Sequence, residues 1–390
     1  MGGDPCMISK VLMAEDETEE EVNLKQEIWC KLPDDPIERV ILKLPLVSLL
    51  QARSVCRGWN MAIQSRPFMN NYAEKCKQDP WLLVFPHYDP SVGLAYVPSS
   101  QRWLDISFRF LPVESRVMAT SRGTFCMLPK SSHHKQWLVC NPVSKAWTSI
   151  PCPPGLYKLF FLAVGLFVEE EVGATIFKVI MAGSELVAED SQQFNLATEV
   201  YDSQMGYWVK RGNLLLDAPL SPWKATCKGI MYCITGHLPF RVLGYDVKKG
   251  VWFEVSAQMP ENLTTMRLVD HNGILLMVGG IEDNKITSKI GMWMLNATYT
   301  KWTEYGWMPP GLCKDLLQTR TGRFVCIGQA NILYFSSKGC HGVLEHNTLT
   351  RSWRWISVNP FFVNIHYYMH RGFHFCPSLQ SCWNNSSLCK

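Results

Sequence analysis

The residues best suited to chemistry in this chain are its histidines and cysteines, and their spacing limits what they can do. His366, His370 and His374 recur every four positions, so on a helix three imidazoles would share one face, as a bound metal requires. The surrounding segment is rich in Tyr and Phe and reads equally well as a strand, so no metal site is expected there. His133 and His134 sit in a polar stretch, SSHHK, with no Cys or carboxylate at ligand spacing, and a surface loop is the expectation. The 15 cysteines are an odd number in a long chain without a CxxC pair, and no apolar segment follows a basic N-terminus. Thiols in that setting stay reduced, which points to the nucleus or cytoplasm. Neither a phosphate-cradling glycine loop nor a nucleophile elbow occurs. No cofactor and no catalytic residue is therefore expected.

The elements around these groups are those of a globular chain. Its 390 residues allow two or three domains, with 47% apolar and 18% charged residues. The net charge of +4 is small and unclustered, which argues against nucleic acid as a partner. The longest apolar run, Leu159 to Val168, is too short to span a bilayer. It is followed by Glu169-Glu170-Glu171 and a second apolar segment, Thr175 to Met181, so a β-hairpin with an acidic turn is predicted and no membrane contact. Residues 1–26, with acidic residues clustered from Glu15 to Glu21, read as a flexible solvated tail. In a reducing compartment the sequons at Asn262, Asn296 and Asn385 are chance matches.

Between Leu32 and Phe68, two short apolar-periodic segments meet at a Leu-Pro break. Asp35, Pro36 and Glu38 fit an N-cap, a proline at the first helical position and a capping-box partner. Ile37, Val40, Ile41 and Leu44 recur at helical spacing, and Pro45 should stop the helix near Leu44. Ser48 is then placed to cap a second helix, with Ala52, Val55, Cys56, Trp59 and Ile63 as its stripe. A module of roughly 40 residues buries little core alone, so it needs a partner.

This segment resembles the F-box, the adaptor-binding module of cullin–RING ubiquitin ligases. The matching residues are Leu32-Pro33, Asp35, Ile37, Val40-Ile41, Leu44-Pro45 and Val55-Cys56-Arg57-Gly58-Trp59. The resemblance implies an adaptor-binding set of Leu32, Pro33, Ile37, Val40, Ile41, Leu44 and Pro45, with Val55 and Trp59 beside it or packing the module. Pro36 stands where the family usually has Leu. Proline in the first turn costs no intrahelical hydrogen bond, so this departure bears on adaptor affinity rather than on the fold.

A repeat begins after this module. Five times an Asn or Asp precedes a Trp by six positions: Asn141 to Trp147, Asp202 to Trp208, Asp246 to Trp252, Asn296 to Trp302 and Asn347 to Trp353. A degenerate unit ending at Trp103 comes first. Each turn follows an apolar or aromatic run, and a proline usually follows the Trp, as at Pro112, Pro151, Pro260, Pro309 and Pro360. Strand, Asx-initiated turn and Trp-bearing strand make a hairpin, because Asx side chains bond the turn backbone. The intervals between the six tryptophans are 44, 61, 44, 50 and 51 residues. A hairpin cannot bury its faces alone, so units of this period must stack. Linking strands are read at Gly123–Leu128, Gly229–Thr235, Gly273–Gly280 and Asn331–Ser336. The pair Gly279-Gly280 resembles the glycine pair of kelch repeats.

The expectation is an α+β multidomain chain: a small all-α F-box over 27–72, then an all-β, six-bladed kelch-type propeller over 77–375 and a tail over 376–390. Two packed β-sheets are the alternative architecture. As a whole the chain resembles plant F-box proteins with degenerate kelch repeats. That resemblance implies a non-catalytic substrate receptor, in which the F-box docks on an SKP-type adaptor and through it on a cullin. The propeller then presents an unidentified protein substrate for ubiquitination and degradation. The alternative is a scaffold that binds a regulatory partner, such as a transcription factor, without causing its turnover. Some propellers are enzymes, but the sialidase Asp-box places Trp five residues after Asp and this repeat places it six after. The Asx and Trp residues therefore read as architecture. Substrate contacts are expected on loops near His87–Pro90, Ser131–Lys135, Ser184–Gln193 and His237–Arg241.

Overall fold

The computed structural model describes residues 34–75, 80–85, 91–131, 136–155, 160–171, 174–187, 193–236, 239–283, 286–318, 323–338, 340, 342–357 and 372–379. The chain divides into two compact units, residues 1–77 and 78–390.

Four helices make the described part of the first unit: α1 (Asp34–Ile41), α2 (Leu46–Ala52), α3 (Arg57–Gln64) and α4 (Arg66–Lys75). Helix α1 starts one residue before Asp35, which places Asp35 in the first turn rather than at the cap. It stops at Ile41, where Lys43 and Leu44 donate backbone N–H groups to Val40 and Ile41 in a tightened turn. Pro45 follows and caps α2. The single second helix predicted from Ser48 is two helices. Ser54 turns its hydroxyl onto the Gln51 carbonyl at 2.7 Å, competing with helix continuation. Cys56 then adopts an extended backbone, and its sulfur accepts the Trp59 N–H at 3.4 Å as the cap of α3. Helix α4 has no counterpart in the sequence reading. Its Tyr72 hydroxyl donates to the Leu44 carbonyl at 2.9 Å, tying α4 to the α1–α2 link. Ile41, Leu46, Leu49, Ala52, Ile63, Phe68 and Tyr72 are buried.

The second unit is built almost wholly of antiparallel four-strand meanders. β1 (Trp81–Val84), β2 (Val92–Val97) and β3 (Arg102–Ser107) make the first. β4 (Ser115–Ser121), β5 (Thr124–Pro129), β6 (Gln136–Asn141) and β7 (Ala146–Pro151) make the second. β8 (Phe160–Glu171), β9 (Ala174–Leu186), β10 (Phe194–Asp202) and β11 (Tyr207–Leu216) form the third. β12 (Leu220–Cys227), β13 (Ile230–Thr235), β14 (Val242–Asp246) and β15 (Val251–Glu254) form the fourth. The last sheet has eight strands. Its first half is β16 (Leu263–His271), β17 (Ile274–Asp283), β18 (Ile286–Leu295) and β19 (Trp302–Trp307). Its second half is β20 (Phe324–Gln329), β21 (Ile332–Ser337), β22 (Val343–Asn347) and β23 (Ser352–Ile356). One parallel pair, Asp270 with Gln329, joins the halves. A short helix, α5 (Pro310–Leu316), lies between them.

The final strand, β24 (Phe373–Phe375), completes the first sheet by pairing antiparallel with β1, Leu82 opposite His374. The first strands then form a closed ring of neighbours: β4 beside β8, β8 beside β12, β12 beside β16, β16 beside β20, β20 beside β24, and β24 beside β4. This is a β-propeller arrangement, not two sheets packed face to face. The hairpin expected from Leu159 to Met181 forms as β8 and β9. However, Glu169, Glu170 and Glu171 are its last paired residues, opposite Ile176, Thr175 and Ala174, rather than its turn.

Local chemistry sets the hairpins. Arg122-Gly123, Lys228-Gly229 and Asn272-Gly273 each place two consecutive residues at positive φ, the two-residue turn whose twist matches that of paired strands. Gly279 and Gly280 lie within β17. A Cβ there would collide with the Leu263 and Thr287 side chains respectively, so glycine is what lets the strands approach. The strand interiors supply the core, with Val84, Phe125, Val139, Val179, Met231, Leu243, Met277, Val325 and Phe335 fully buried.

Candidate functional site

In the helical unit, Leu32 and Pro33 lie outside the described residues, as does the side chain of Ile37. Among the rest of the expected adaptor-binding set, Val40 is 49% and Val55 47% exposed. Pro45 is exposed, and Leu44 and Trp59 are half-buried. Ile41 is fully buried. It shares a helical stripe with Leu44 but turns its side chain inward, so it packs the module instead of facing solvent. Met61, which the sequence reading did not single out, is 73% exposed on α3. Val40, Val55 and Met61 are large apolar groups left in water on a small helical unit, a pattern that favours protein contact.

In the sheet unit, the Asx of every repeat holds its turn. The side-chain oxygen of Asn141 accepts the Val143 N–H at 2.8 Å, Asp202 that of Gln204 at 2.9 Å, and Asp246 those of Lys248 and Lys249 at 3.0 and 2.9 Å. Asn296 accepts from Thr300 and Lys301, and Asn347 from Leu349 and Thr350. The tryptophans lie on the last strand of each meander, at Trp103, Trp147, Trp208, Trp252, Trp302 and Trp353. Several reach back to the preceding sheet. The Trp208 indole N–H donates to the Pro151 carbonyl at 2.8 Å, that of Trp252 to the Thr198 hydroxyl at 2.8 Å, and that of Trp103 to the Ser357 carbonyl at 3.1 Å. Trp302 packs into a core shared with β12–β14, and Trp353 into one shared with β16–β18. These contacts join one sheet to the next.

Of the expected substrate loops, 86–90, 132–135, 188–192 and 237–238 lie outside the described residues, as do His133, His134, His366 and His370. Each loop links the second strand of a meander to the third. In an antiparallel meander those strand ends lie where the first strand begins, so the described strand ends on either side of the four segments share one face of the ring. His374 is on a strand, β24. No group of metal-ligating side chains occurs among the described residues.

The first strands enclose a channel that the sequence reading missed. Two adjoining cavities of about 230 and 370 Å³ share Thr120, Leu166, Thr226, Asp270 and His374 as walls. Trp223, Lys224 and Arg267 line the smaller one. Trp223 and Lys224 are adjacent on β12, where alternation would send them to opposite faces. The pairing of β12 with β13 slips between Leu220 and Lys224, around Pro222, which has no N–H to give the ladder. Both side chains then line the cavity. Lys224 Nζ donates to the Met118 carbonyl of β4 at 3.0 Å. The Arg267 guanidinium lies 3.9 Å from the Trp223 ring centre and donates to the Met266 and Phe324 carbonyls. Its Nε has no acceptor among the described residues.

Burial lowers the pKa of Arg267 to about 10, leaving it charged at neutral pH, and lowers that of Lys224, against the pull of the Cys233 and Cys126 thiols. Burial and the Lys224 charge bring His374 down to about 4, so it is neutral at pH 7. Burial pushes the Cys126 and Cys233 thiols on the second strands up to about 12, against the opposing Lys224 charge, so they stay protonated at neutral pH.

Comparison with known proteins agrees with this geometry. Residues 29–71 match the F-box domain, and residues 104–249 match the β-propeller of the family described as F-box protein At3g26010-like. The chain is 28% identical over 345 residues to F-box only protein 6 of Arabidopsis thaliana, covering 85% of this chain and 70% of that protein. It is 26% identical over 374 residues to the Arabidopsis F-box/kelch-repeat protein At3g61590, covering 90% and 89%. To the Arabidopsis SKP1-interacting partner 15 it is 22% identical over 363 residues, covering 84% and 92%. The helical unit with its exposed apolar side chains thus carries the F-box match, the ring of sheets carries the match to an F-box-protein β-propeller, and over most of its length the chain is similar to plant F-box/kelch-repeat proteins.

Proposed function

We propose that this protein is the substrate-recognition subunit of an SCF-type cullin–RING ubiquitin ligase. The observation that carries the reading is the presence, on one chain, of an F-box with solvent-facing Val40, Val55 and Met61 and a closed propeller. Similarity to a protein named as an SKP1-interacting partner supports an SKP-type adaptor as the F-box ligand. The adaptor links to a cullin, and the propeller holds a protein substrate. Its mechanism is proximity: a bound substrate meets an activated ubiquitin thioester at high effective concentration, and the receptor itself makes and breaks no bond. The site of action is the nucleus or cytoplasm.

The propeller is read as six-bladed, because a single parallel pair is a slight bond between the halves of the eight-stranded sheet. The ring of first strands supports that count. Substrate contacts are assigned to the face of the ring on which the second strands end and the third strands begin. The test is capture of an SKP-type adaptor by the full-length protein, beside a Leu32→Ala, Pro33→Ala double variant. Capture that the substitutions abolish supports the ligase reading. A folded wild type that captures no adaptor refutes it and leaves the propeller a scaffold.

A further inference from the structure

We propose that the propeller channel at Trp223, Lys224 and Arg267 is a binding site for a small organic acid with an apolar body. This inference is independent of the ligase reading and holds equally for a scaffold. Its first support is charge. Two cationic side chains line one cavity, and neither makes an ion pair among the described residues. Asp270 lines the same cavity but is engaged elsewhere: its Oδ1 accepts the Gly273 N–H at 2.8 Å, and it acts on the Cys227 thiol. A cation withdrawn from water without a partner is costly, and a carboxylate beside it recovers that energy.

The second support is pre-organisation. The Arg267 guanidinium is fixed by carbonyls of β16 and β20 and by the Trp223 face, its charge unpaired among the described residues. Lys224 is held by the Met118 carbonyl and retains two further N–H donors. Such donors need no rearrangement to meet an anion. The third support is the rest of the lining. Trp223 and Phe373 are its large aromatic residues, beside the polar Thr120, Thr226 and Asp270, so the anion carries an aromatic or hydrocarbon body. A cavity of about 230 Å³ admits a small molecule and excludes a folded partner.

The test is isothermal titration of the full-length protein with 2-naphthoate, with its neutral isostere 2-naphthamide, and with inorganic phosphate. The expected result is saturable binding of one 2-naphthoate per chain and binding of 2-naphthamide about tenfold weaker or worse, the scale of a charge-assisted hydrogen bond. Lys224→Met should lose the same factor, and Lys224→Arg should restore most of it, with circular dichroism confirming the fold of each. If Lys224→Met does not fold, the comparison of acid with amide on the wild type decides alone. Equal affinity for acid and amide overturns the proposal, as does absence of naphthoate binding at millimolar concentration. Phosphate that binds as tightly as naphthoate overturns it too, because the apolar lining would then contribute nothing.

Discussion

The Trp252 indole N–H, on the outermost strand of the fourth sheet, donates to the Thr198 hydroxyl, buried in the third, at 2.8 Å. The bond joins two sheets through the residue that ends each repeat. Trp252→Phe keeps most of the ring but leaves a buried hydroxyl without its partner, so a loss of about 1–2 kcal/mol is expected. Thr198→Val in the same background should cost less than it does alone. A double-mutant cycle read by chemical denaturation should give a coupling of about 1 kcal/mol.

Two neighbouring residues of α1 separate packing from docking. Ile41→Ala empties a fully buried position and should destabilise the F-box by about 2–4 kcal/mol. Val40→Asp alters an exposed position and should leave unfolding within about 0.5 kcal/mol of wild type. In adaptor capture, Val40→Asp and Val55→Asp should weaken binding although both proteins remain folded. Unchanged capture by both would place the adaptor surface elsewhere.

His374 makes stability depend on pH. Its folded pKa of about 4 lies below the ordinary histidine value of 6.5. Above pH 6.5 the ring is neutral in folded and unfolded chains alike and contributes nothing. Between 6.5 and 4 only the unfolded chain takes up the proton, so stability falls as pH falls. With solvent partly reaching the ring, the loss is on the order of 2 kcal/mol. His374→Gln should remove that part of the acid sensitivity, measured as the difference between the two proteins' stability at pH 7 and pH 4.5. His346, lowered chiefly by burial, should leave a residual slope in the variant.

Gly123 and Gly206 both sit at positive φ, +77° and +78°. At Gly206 an added Cβ meets open space, whereas at Gly123 it would meet the Ser378 Cβ at 2.8 Å and its backbone nitrogen at 2.9 Å. Gly206→Ala should cost about 1 kcal/mol of backbone strain. Gly123→Ala should cost clearly more, because residues 376–378 must also move. Thermal unfolding of the two variants side by side measures the excess.

The legible parts of this protein were those with local mechanisms. Asn or Asp six residues before Trp announced a turn and its outer strand, because the Asx side chain bonds backbone within the same few residues. Gly123, Gly229 and Gly273 were read as the starts of linking strands, and they are the last turn residues before those strands begin. The apolar stripe of α1 was visible, but which of its members point inward depends on what packs against them, as Val40 and Ile41 show. The break between α2 and α3 was hidden, since Ala52, Val55, Cys56 and Trp59 keep a helical period straight through it. The channel was hidden more deeply. Trp223 and Lys224 share a wall only because a slip in register around Pro222 cancels strand alternation, and their neighbours come from strands far away in the chain. Strand β24 was legible only as one of two readings of its Tyr- and Phe-rich segment, for its partner is β1, at the other end of the sheet unit.

That last pairing has a consequence for how the protein comes into being. The F-box leaves the ribosome early, and its described helices pack on one another. The first sheet, begun at Trp81, waits for Phe373–Phe375 to supply its inner strand, and Phe375 then lies against both Trp81 and Phe125. A message cut short upstream of those codons would still encode the F-box but could not encode a closed ring. The three residues thus act as a late check on the ring, separating chains that can close it from chains that carry the F-box without a closed propeller.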